Sequence, residues 1–304
     1  MDIDTVKAGS VGKWPGIFER LGVEVGTGKH IPCPVCGGKD RFRFTDIDGK
    51  GTWYCNQCTP RAGDGFSLVQ KVLGVDFVDA CKIVGDIIGT VEPTKFQPEK
   101  TITPEILRKI FKASKKTTKG DIVSRYLMSR GLNLIPENIR TTLKCWEPET
   151  KQDHPAMLAV FHLSDGTAVT MHRTYLSKEA EKLGIDSPKK MFPTLKPMVG
   201  GAVRLFRPTA AGLIGLAEGI ETAIAVTQAT EVPCWAALSA QLMAVWEPTP
   251  EITRVVVYGD NDRNYTGQRA AYKIANRLVI NHKLTVDVEI PDKPGTDFLD
   301  EIGG

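Results

Sequence analysis

The sequence predicts a multidomain chain of α+β and α/β class: a small N-terminal ribbon, a mixed middle domain and a C-terminal α/β sheet. Three observations predict it. Two Cys-x-x-Cys pairs sit near the N-terminus, helical periodicity gives way to alternation in the middle, and apolar strands alternate with helices from Gly212 onward. At 304 residues, 25% charged and 41% hydrophobic, the chain has room for two or three soluble domains. A net charge of +3 does not by itself call for a nucleic-acid partner, so local clusters must decide that. Apolar runs such as GLIGLA at 212–217 are too short to cross a bilayer, and MDIDTVKAGS is acidic and polar, unlike a signal peptide. The expected setting is the reducing cytoplasm, with no membrane partner.

The first domain is expected over residues 1–90. SVGKWPGIFERLG suits a short helix burying Ile17, Phe18 and Leu21, and the cysteine cluster follows. DGFSLVQKVLGVDFVDACKIVGDIIG then divides into two helices, with Gly74 as the stop between them. Residues 91–103, rich in proline, threonine and charge without periodicity, read as a linker. A basic middle domain is expected over 104–210. It opens with a helix at Pro104 behind a Thr103 cap, continues through the lysine-rich 109–119 run, and has a second helix closed by Gly131. MLAVFHL and AVTMHRTYL are strands joined by a turn at Ser164-Asp165-Gly166. Residues 211–304 alternate GLIGLAE, a helix, PCWAAL, a helix, RVVVYGD, a longer helix and LTVDVEI, which implies a parallel or mixed sheet covered by helices.

Cys33-x2-Cys36, eighteen intervening residues and Cys55-x2-Cys58 match the spacing of a four-thiolate zinc site. Such a closed tetrahedron is structural, because no coordination position is left for water. His30 lies close in sequence, but four cysteines suffice. Cys81, Cys145 and Cys234 stand singly in apolar contexts and read as small buried hydrophobes. Between the pairs, Arg41-Phe42-Arg43-Phe44 as a strand puts the arginines on one face and the rings on the other. Arg41 and Arg43, with Trp53 on the returning strand, are candidates for holding single-stranded nucleic acid, while Phe42 and Phe44 suit the ribbon's core.

The last third carries a second pattern. Its strands end in acid at their carboxyl ends: Glu218, then Asp260 and Asp262, then Asp292, Asp297 and Asp300. That edge is where open α/β sheets build their sites. Converging carboxylates repel one another unless a cation lies among them, and hard oxygen donors favour Mg²⁺ or Mn²⁺. GVEVGTGKH is not a phosphate-binding Walker loop, because Val23 and His30 occupy positions that need glycine and a hydroxyl residue.

LAEGIETA followed by YGDNDRNYTGQRAA resembles the TOPRIM domain of primases, topoisomerases and some nucleases, a Rossmann-like fold. CPVCGGKDRFRF and GDGFSLVQ resemble the zinc ribbon of satellite-phage and plasmid primases, and YLMSRGL and MHRTYL are similar to the middle segments of the same group. The resemblance implies a DNA primase of a phage, plasmid or other mobile element, without the helicase part. It would make RNA primers from NTPs on single-stranded DNA, and a helicase would be supplied by another chain or region. It places Glu218, Asp260 and Asp262 at the catalytic centre, with Asp260, Asp262, Asp297 and Asp300 binding Mg²⁺ or Mn²⁺. Glu221 is given a supporting role, because Thr222 stands where bacterial replicative primases carry an aspartate. Arg173, Lys189, Lys190 and Arg204 are the candidates for gripping template and triphosphate. A metal-dependent nuclease and a non-catalytic zinc/TOPRIM DNA clamp are the competing readings.

Overall fold

A computed structural model describes residues 2–26, 28, 30–93 and 103–302, which fall into two compact units, Met1–Thr101 and Ile102–Gly304. Residues 94–102, most of the expected linker, lie outside the described residues.

The first unit runs α1 (Ile3–Ser10), α2 (Trp14–Arg20), β1 (Ile31–Cys33), β2 (Gly37–Phe44), β3 (Trp53–Cys55), β4 (Ala62–Gly63), α3 (Gly65–Leu73) and α4 (Phe77–Ile88). Its strands form one antiparallel sheet in the order β1-β2-β3-β4. Helix α1 was not expected from the sequence. Its start is fixed by Asp2, whose carboxylate accepts from the Asp4 and Thr5 amides, and only Val6 and Ser10 of the helix are buried. Gly74 ends α3 with φ +66°, the left-handed conformation glycine adopts without steric penalty. The core is aromatic: Trp14 contacts Phe18 and Phe66 at ring separations of 5.5 and 4.8 Å, and Phe18 meets Phe44 edge-on at 5.7 Å.

The second unit begins with α5 (Pro104–Ala113), β5 (Lys115–Lys116), α6 (Ile122–Ser129), β6 (Ile139–Glu147), β7 (Gln152–His162), β8 (Ala168–Tyr175), β9 (Lys189–Met191) and β10 (Ala202–Val203). It continues with β11 (Leu213–Ala217), α7 (Ile220–Thr230), β12 (Cys234–Ala236), α8 (Ala240–Ala244), β13 (Arg254–Tyr258), α9 (Thr266–Arg277), a π-helical turn at Leu278–His282, β14 (Thr285–Glu289) and α10 (Phe298–Ile302). Thr103 caps α5 by accepting from the Ile106 amide, and Gly166 makes the β7–β8 turn at φ +85°.

All of these strands belong to one ten-stranded sheet, ordered β14-β13-β11-β12-β10-β7-β6-β5, with β8 paired to β7 and β9. Strands β14, β13, β11 and β12 are parallel, whereas two-residue β10 pairs antiparallel with both β12 and β7. The expected division near residue 210 therefore falls inside a continuous sheet. One core reflects that continuity, since Tyr126, Leu127, Met157 and Phe161 cluster with Ala223, Ile224 and Cys234.

The strand order positions the site. From β11 the chain crosses through α7 to β12 on one side, and from β13 it crosses through α9 to β14 on the other. The crevice between the carboxyl ends of β11 and β13 is therefore the point where the winding direction reverses. Because Ala217 pairs with Tyr258, Glu218 and Asp260 emerge at that crevice from adjacent strands.

Candidate active site and zinc centre

In the ribbon, Cys33 Sγ lies 3.7 Å from Cys58 Sγ, and Cys36 Sγ lies 3.6 Å from Cys55 Sγ. Four thiolates about 2.3 Å from one Zn²⁺ sit about 3.8 Å apart in a tetrahedron, so the set fits zinc. The Val35 and Gln57 amides donate to Cys33 and Cys55 sulfur at 3.4 and 3.5 Å, which steadies both knuckles. Burial raises the Cys55 thiol, but the Gln57 and Cys58 amides and the neighbouring thiols outweigh it and bring the group down to about 7. His30 turns its Nδ1 to the Asp40 carbonyl at 3.1 Å instead.

Strand β2 separates its two faces as alternation requires. Phe42 and Phe44 are fully buried, while Arg41 and Arg43 are half-buried on the other face, with Arg43 directly across from Tyr54. Trp53 corrects the expectation of a stacking ring. It is 2% exposed, and its indole N–H donates to the Asp64 carbonyl and to Ser67 Oγ, both at 3.0 Å. It pairs with Phe44 across the ladder and so shares the inward face; the outward aromatic of β3 is Tyr54.

In the second unit a cleft of about 230 Å³ opens at the carboxyl ends of β11 and β13, lined by Glu218, Asp260, Asp297, Glu221, Lys189 and His172 among others. Helix α9 can start close to Asp260 only because residue 267 is glycine. A Cβ there would lie 2.5 Å from the Asp260 carbonyl oxygen. Asp262 Oδ2 accepts from the Gly267 amide at 2.8 Å. Asp297 caps α10, its Oδ1 accepting from the Leu299 and Asp300 amides at 2.7 and 3.0 Å while Oδ2 takes the Thr222 hydroxyl at 3.1 Å. Asp300 reaches back to the Asp297 amide at 3.2 Å.

Burial, then the charges of Glu218, Asp297, Asp262 and Asp300, push the Asp260 carboxyl up to about 7. Burial and Asp262 likewise raise Glu218. Asp260 Oδ1 is buried without a hydrogen-bond partner among the described residues, which is costly for an isolated carboxylate and fits a cation among these acids. Among the described residues, only the four cysteines place three or more donor atoms within 4.8 Å of one another. The carboxylates stand farther apart, an arrangement suited to a metal that keeps waters or substrate phosphates in its shell.

Opposite the acids lies a second network. Glu221, 3% exposed, accepts from the Tyr126 hydroxyl at 2.7 Å and from Lys189 Nζ at 2.9 Å, with Lys182 Nζ at 3.9 Å. Burial alone would raise this carboxyl, but Lys189, Tyr126 and Lys182 together hold it down to about 2. Burial pushes the neighbouring His172 down to about 4, leaving it neutral at pH 7, and its Nδ1 has no partner among the described residues.

Of the basic residues expected to grip substrate, the structure brings only Lys189 to the cleft. Arg173 and Lys190 are paired across β8 and β9 and point to the other face of the sheet. There Arg173 lies 4.2 Å from the Phe192 ring centre, and Lys190 pairs with the buried Glu147. Arg204 donates to the Leu163 and Ser164 carbonyls at 2.5 and 3.1 Å and lies over Trp235. These three side chains are engaged within the fold. Tyr126 and His172 were missed by sequence reasoning. Strict alternation along MHRTY would have put His172 on the face opposite Arg173, but nothing local marks Tyr126 as the partner of a glutamate 95 residues away.

Three stretches of the chain match known families. Residues 28–66 match the family described as the zinc-binding domain of primase-helicase, and residues 213–302 match the Toprim domain. Residues 102–205 match a domain of unknown function (DUF7146). Among solved structures, the chain is similar to a DNA primase domain from Pseudomonas aeruginosa, at 13% identity over 64% of this chain and 73% of that one, with a TM-score of 0.42. It is similar to the zinc-binding and RNA polymerase domains of the Aquifex aeolicus primase, at 14% identity over 99% and 82% of the two chains and a TM-score of 0.41. The primase fragment of the bacteriophage T7 primase-helicase gives 15% identity over 89% and 92%, with a TM-score of 0.37. No helix of the described residues is long and apolar enough to cross a membrane.

Proposed function

We propose that this chain, which joins a zinc-binding domain of the primase-helicase kind to a Toprim domain, is a DNA primase. It would make short RNA primers on single-stranded DNA by divalent-metal-dependent nucleotidyl transfer. The observation that carries the reading is Asp260: a buried carboxylate oxygen without a partner, surrounded by Glu218, Asp262 and Asp297 at the reversal point of the sheet.

In the proposed reaction a nucleotide 3′-hydroxyl attacks the α-phosphorus of an NTP. The new P–O bond forms as the bond to pyrophosphate breaks, and the hydroxyl proton leaves to a base. Asp260 and Asp262, with Asp297 or Asp300, would hold Mg²⁺ or Mn²⁺, which supplies charge neutralisation at the phosphates and a more acidic attacking hydroxyl. Glu218, raised by burial, stands beside them as a further ligand or as the proton acceptor. Lys189 presents an ammonium to the triphosphate from the opposite wall, and Glu221 with Tyr126 supports it there. Arg41 and Arg43, on the outward face of the ribbon, would contact template phosphates.

The test uses single-stranded template, labelled ribonucleotides and Mg²⁺ or Mn²⁺, comparing the chain with its Asp260→Asn/Asp262→Asn variant. Short oligoribonucleotides that vanish in the variant support the primase. Template degradation would make the protein a nuclease instead, and tight DNA binding with no product in either form would make it a clamp.

A further inference from the structure

Helix α9 leaves the carboxylate cleft with an outer face that neither the fold nor the proposed chemistry uses. Its inner face, Gly267, Ala270, Ala271 and Ile274, is buried. On the outside Tyr265 is 71% exposed and Tyr272 61% exposed, with Arg269 and Lys273 between and beside them. Arg269 and Tyr272 share one face of the helix at i and i+3, with Lys273 beside them, and Tyr265 stands just before the first helical residue, Thr266, about two turns from Tyr272. The helix contains no acidic residue. Its third cation, Arg277, is turned inward onto Glu247 and the Trp246 carbonyl, whereas no ion pair holds Arg269 or Lys273 among the described residues. Neither phenol hydroxyl is hydrogen-bonded within those residues.

Tyr265 adds a separate observation. Its backbone is left-handed, φ +62° and ψ +20°, a conformation that bulky side chains rarely adopt, and its amide donates to the Asp262 carbonyl at 2.9 Å. The chain accepts an unfavourable backbone at this position with a ring that fills no core, three residues from a cleft carboxylate. Such outliers concentrate where function requires a particular side chain.

We propose that the Tyr265–Arg269–Tyr272–Lys273 face is a stacking track for single-stranded nucleic acid, carrying the template strand to or from the cleft. Exposed rings offer base-stacking surfaces, and the interleaved cations meet the backbone phosphates. The absence of acid along α9 and the start of the stripe at the cleft favour a polyanionic strand over a protein partner. The inference rests on the reading of the chain as template-directed.

The test is fluorescence anisotropy of a labelled oligothymidylate with the whole chain and no NTP. Tyr265→Gly removes the ring and also relieves the left-handed backbone, so weaker binding by that variant cannot be ascribed to lost folding. It and Tyr272→Ala are each expected to weaken binding about tenfold. Arg269→Gln/Lys273→Gln should lower the salt slope by about 1.4, at about 0.7 per phosphate contact on a single strand. Unchanged affinity in the Tyr265→Gly/Tyr272→Ala double variant overturns the track. So does loss of self-association in sedimentation with oligonucleotide binding intact, which would make this face an interface between copies. If the unaltered chain makes no oligoribonucleotides while the tyrosine variants still lose DNA, the primase reading fails and the track stands. If it primes and the double variant primes and binds equally well, the reverse holds.

Discussion

The ribbon and the cleft both gather acidic groups, and they handle the repulsion in opposite ways. In the ribbon four sulfurs close on one point, with opposed pairs 3.6 and 3.7 Å apart and backbone amides satisfying the knuckles. In the cleft the carboxylates are spread over three elements: Asp262 at the start of α9, Asp297 and Asp300 at the start of α10, and Glu218 at the end of β11. One oxygen of Asp260 is left with nothing to bond among the described residues. A complete ligand set serves folding, whereas an incomplete one leaves room for a substrate in the metal's shell.

If that contrast holds, metal removal should separate the two. Stripping zinc, or Cys55→Ala, is expected to unfold the ribbon, since structural zinc supplies on the order of 10 kcal/mol to small domains. Near-ultraviolet dichroism from Trp14 and Trp53 would report the loss, while Mn²⁺ binding by the second unit should persist. Asp260→Asn should act the other way, lowering primer synthesis about a hundredfold or more while stabilising the metal-free fold. With a folded pKa of about 7 against an ordinary value of 3.8, this carboxyl's contribution is fully present below about pH 4 and is lost as pH rises through 7. Urea titrations between pH 5 and 8 should show stability falling by up to a few kcal/mol in the unaltered chain and staying flatter in the variant. For the same reason Mn²⁺ affinity of the unaltered chain should climb through pH 7, readable by paramagnetic relaxation.

Smaller effects belong to the supporting network. Glu221→Gln leaves Lys189 without its partner, and is expected to cost about 1–3 kcal/mol after allowance for the lysine's exposure. It should raise KM for NTP more than it lowers kcat, with Tyr126→Phe milder still. Because the Glu221 carboxyl is held at about 2, its stabilisation is complete above about pH 4.5 and disappears only as pH falls through 2. Least of all, Arg41→Gln and Arg43→Gln should each reduce the salt slope of template binding by about one. No change in either would leave the ribbon a scaffold.

How much of this could be read from sequence depended on range. Cysteine spacing, strand ends in acid, the Gly74 stop and the Ser164–Gly166 turn are local signals, and each appears in the structure where it was expected. Trp53 was misplaced because aromatic residues beside arginines suit both a core and a stacking surface. Only its register opposite Phe44 decides between them. The grip expected from Arg173, Lys190 and Arg204 rested on charge alone, which does not say which sheet face a side chain takes. Helix α1 escaped because a two-residue buried stripe leaves almost no periodic trace. The network around Glu221 joins residues 95 and 32 positions apart, so it exists only once the sheet has formed.

Strand β10 has a further consequence. Among the described residues, only Ala202 and Val203 of β10 carry the strand ladder from the parallel strands to the antiparallel ones. A fragment cut at residue 211 would lose that cover and present β12 as a bare edge, with the apolar surfaces of Trp235 and Ala223 newly wet. The Toprim segment is thus a poor candidate for excision: expressed alone it should aggregate. In hydrogen exchange, the Val203 amide should open only when the halves it sews together open as well.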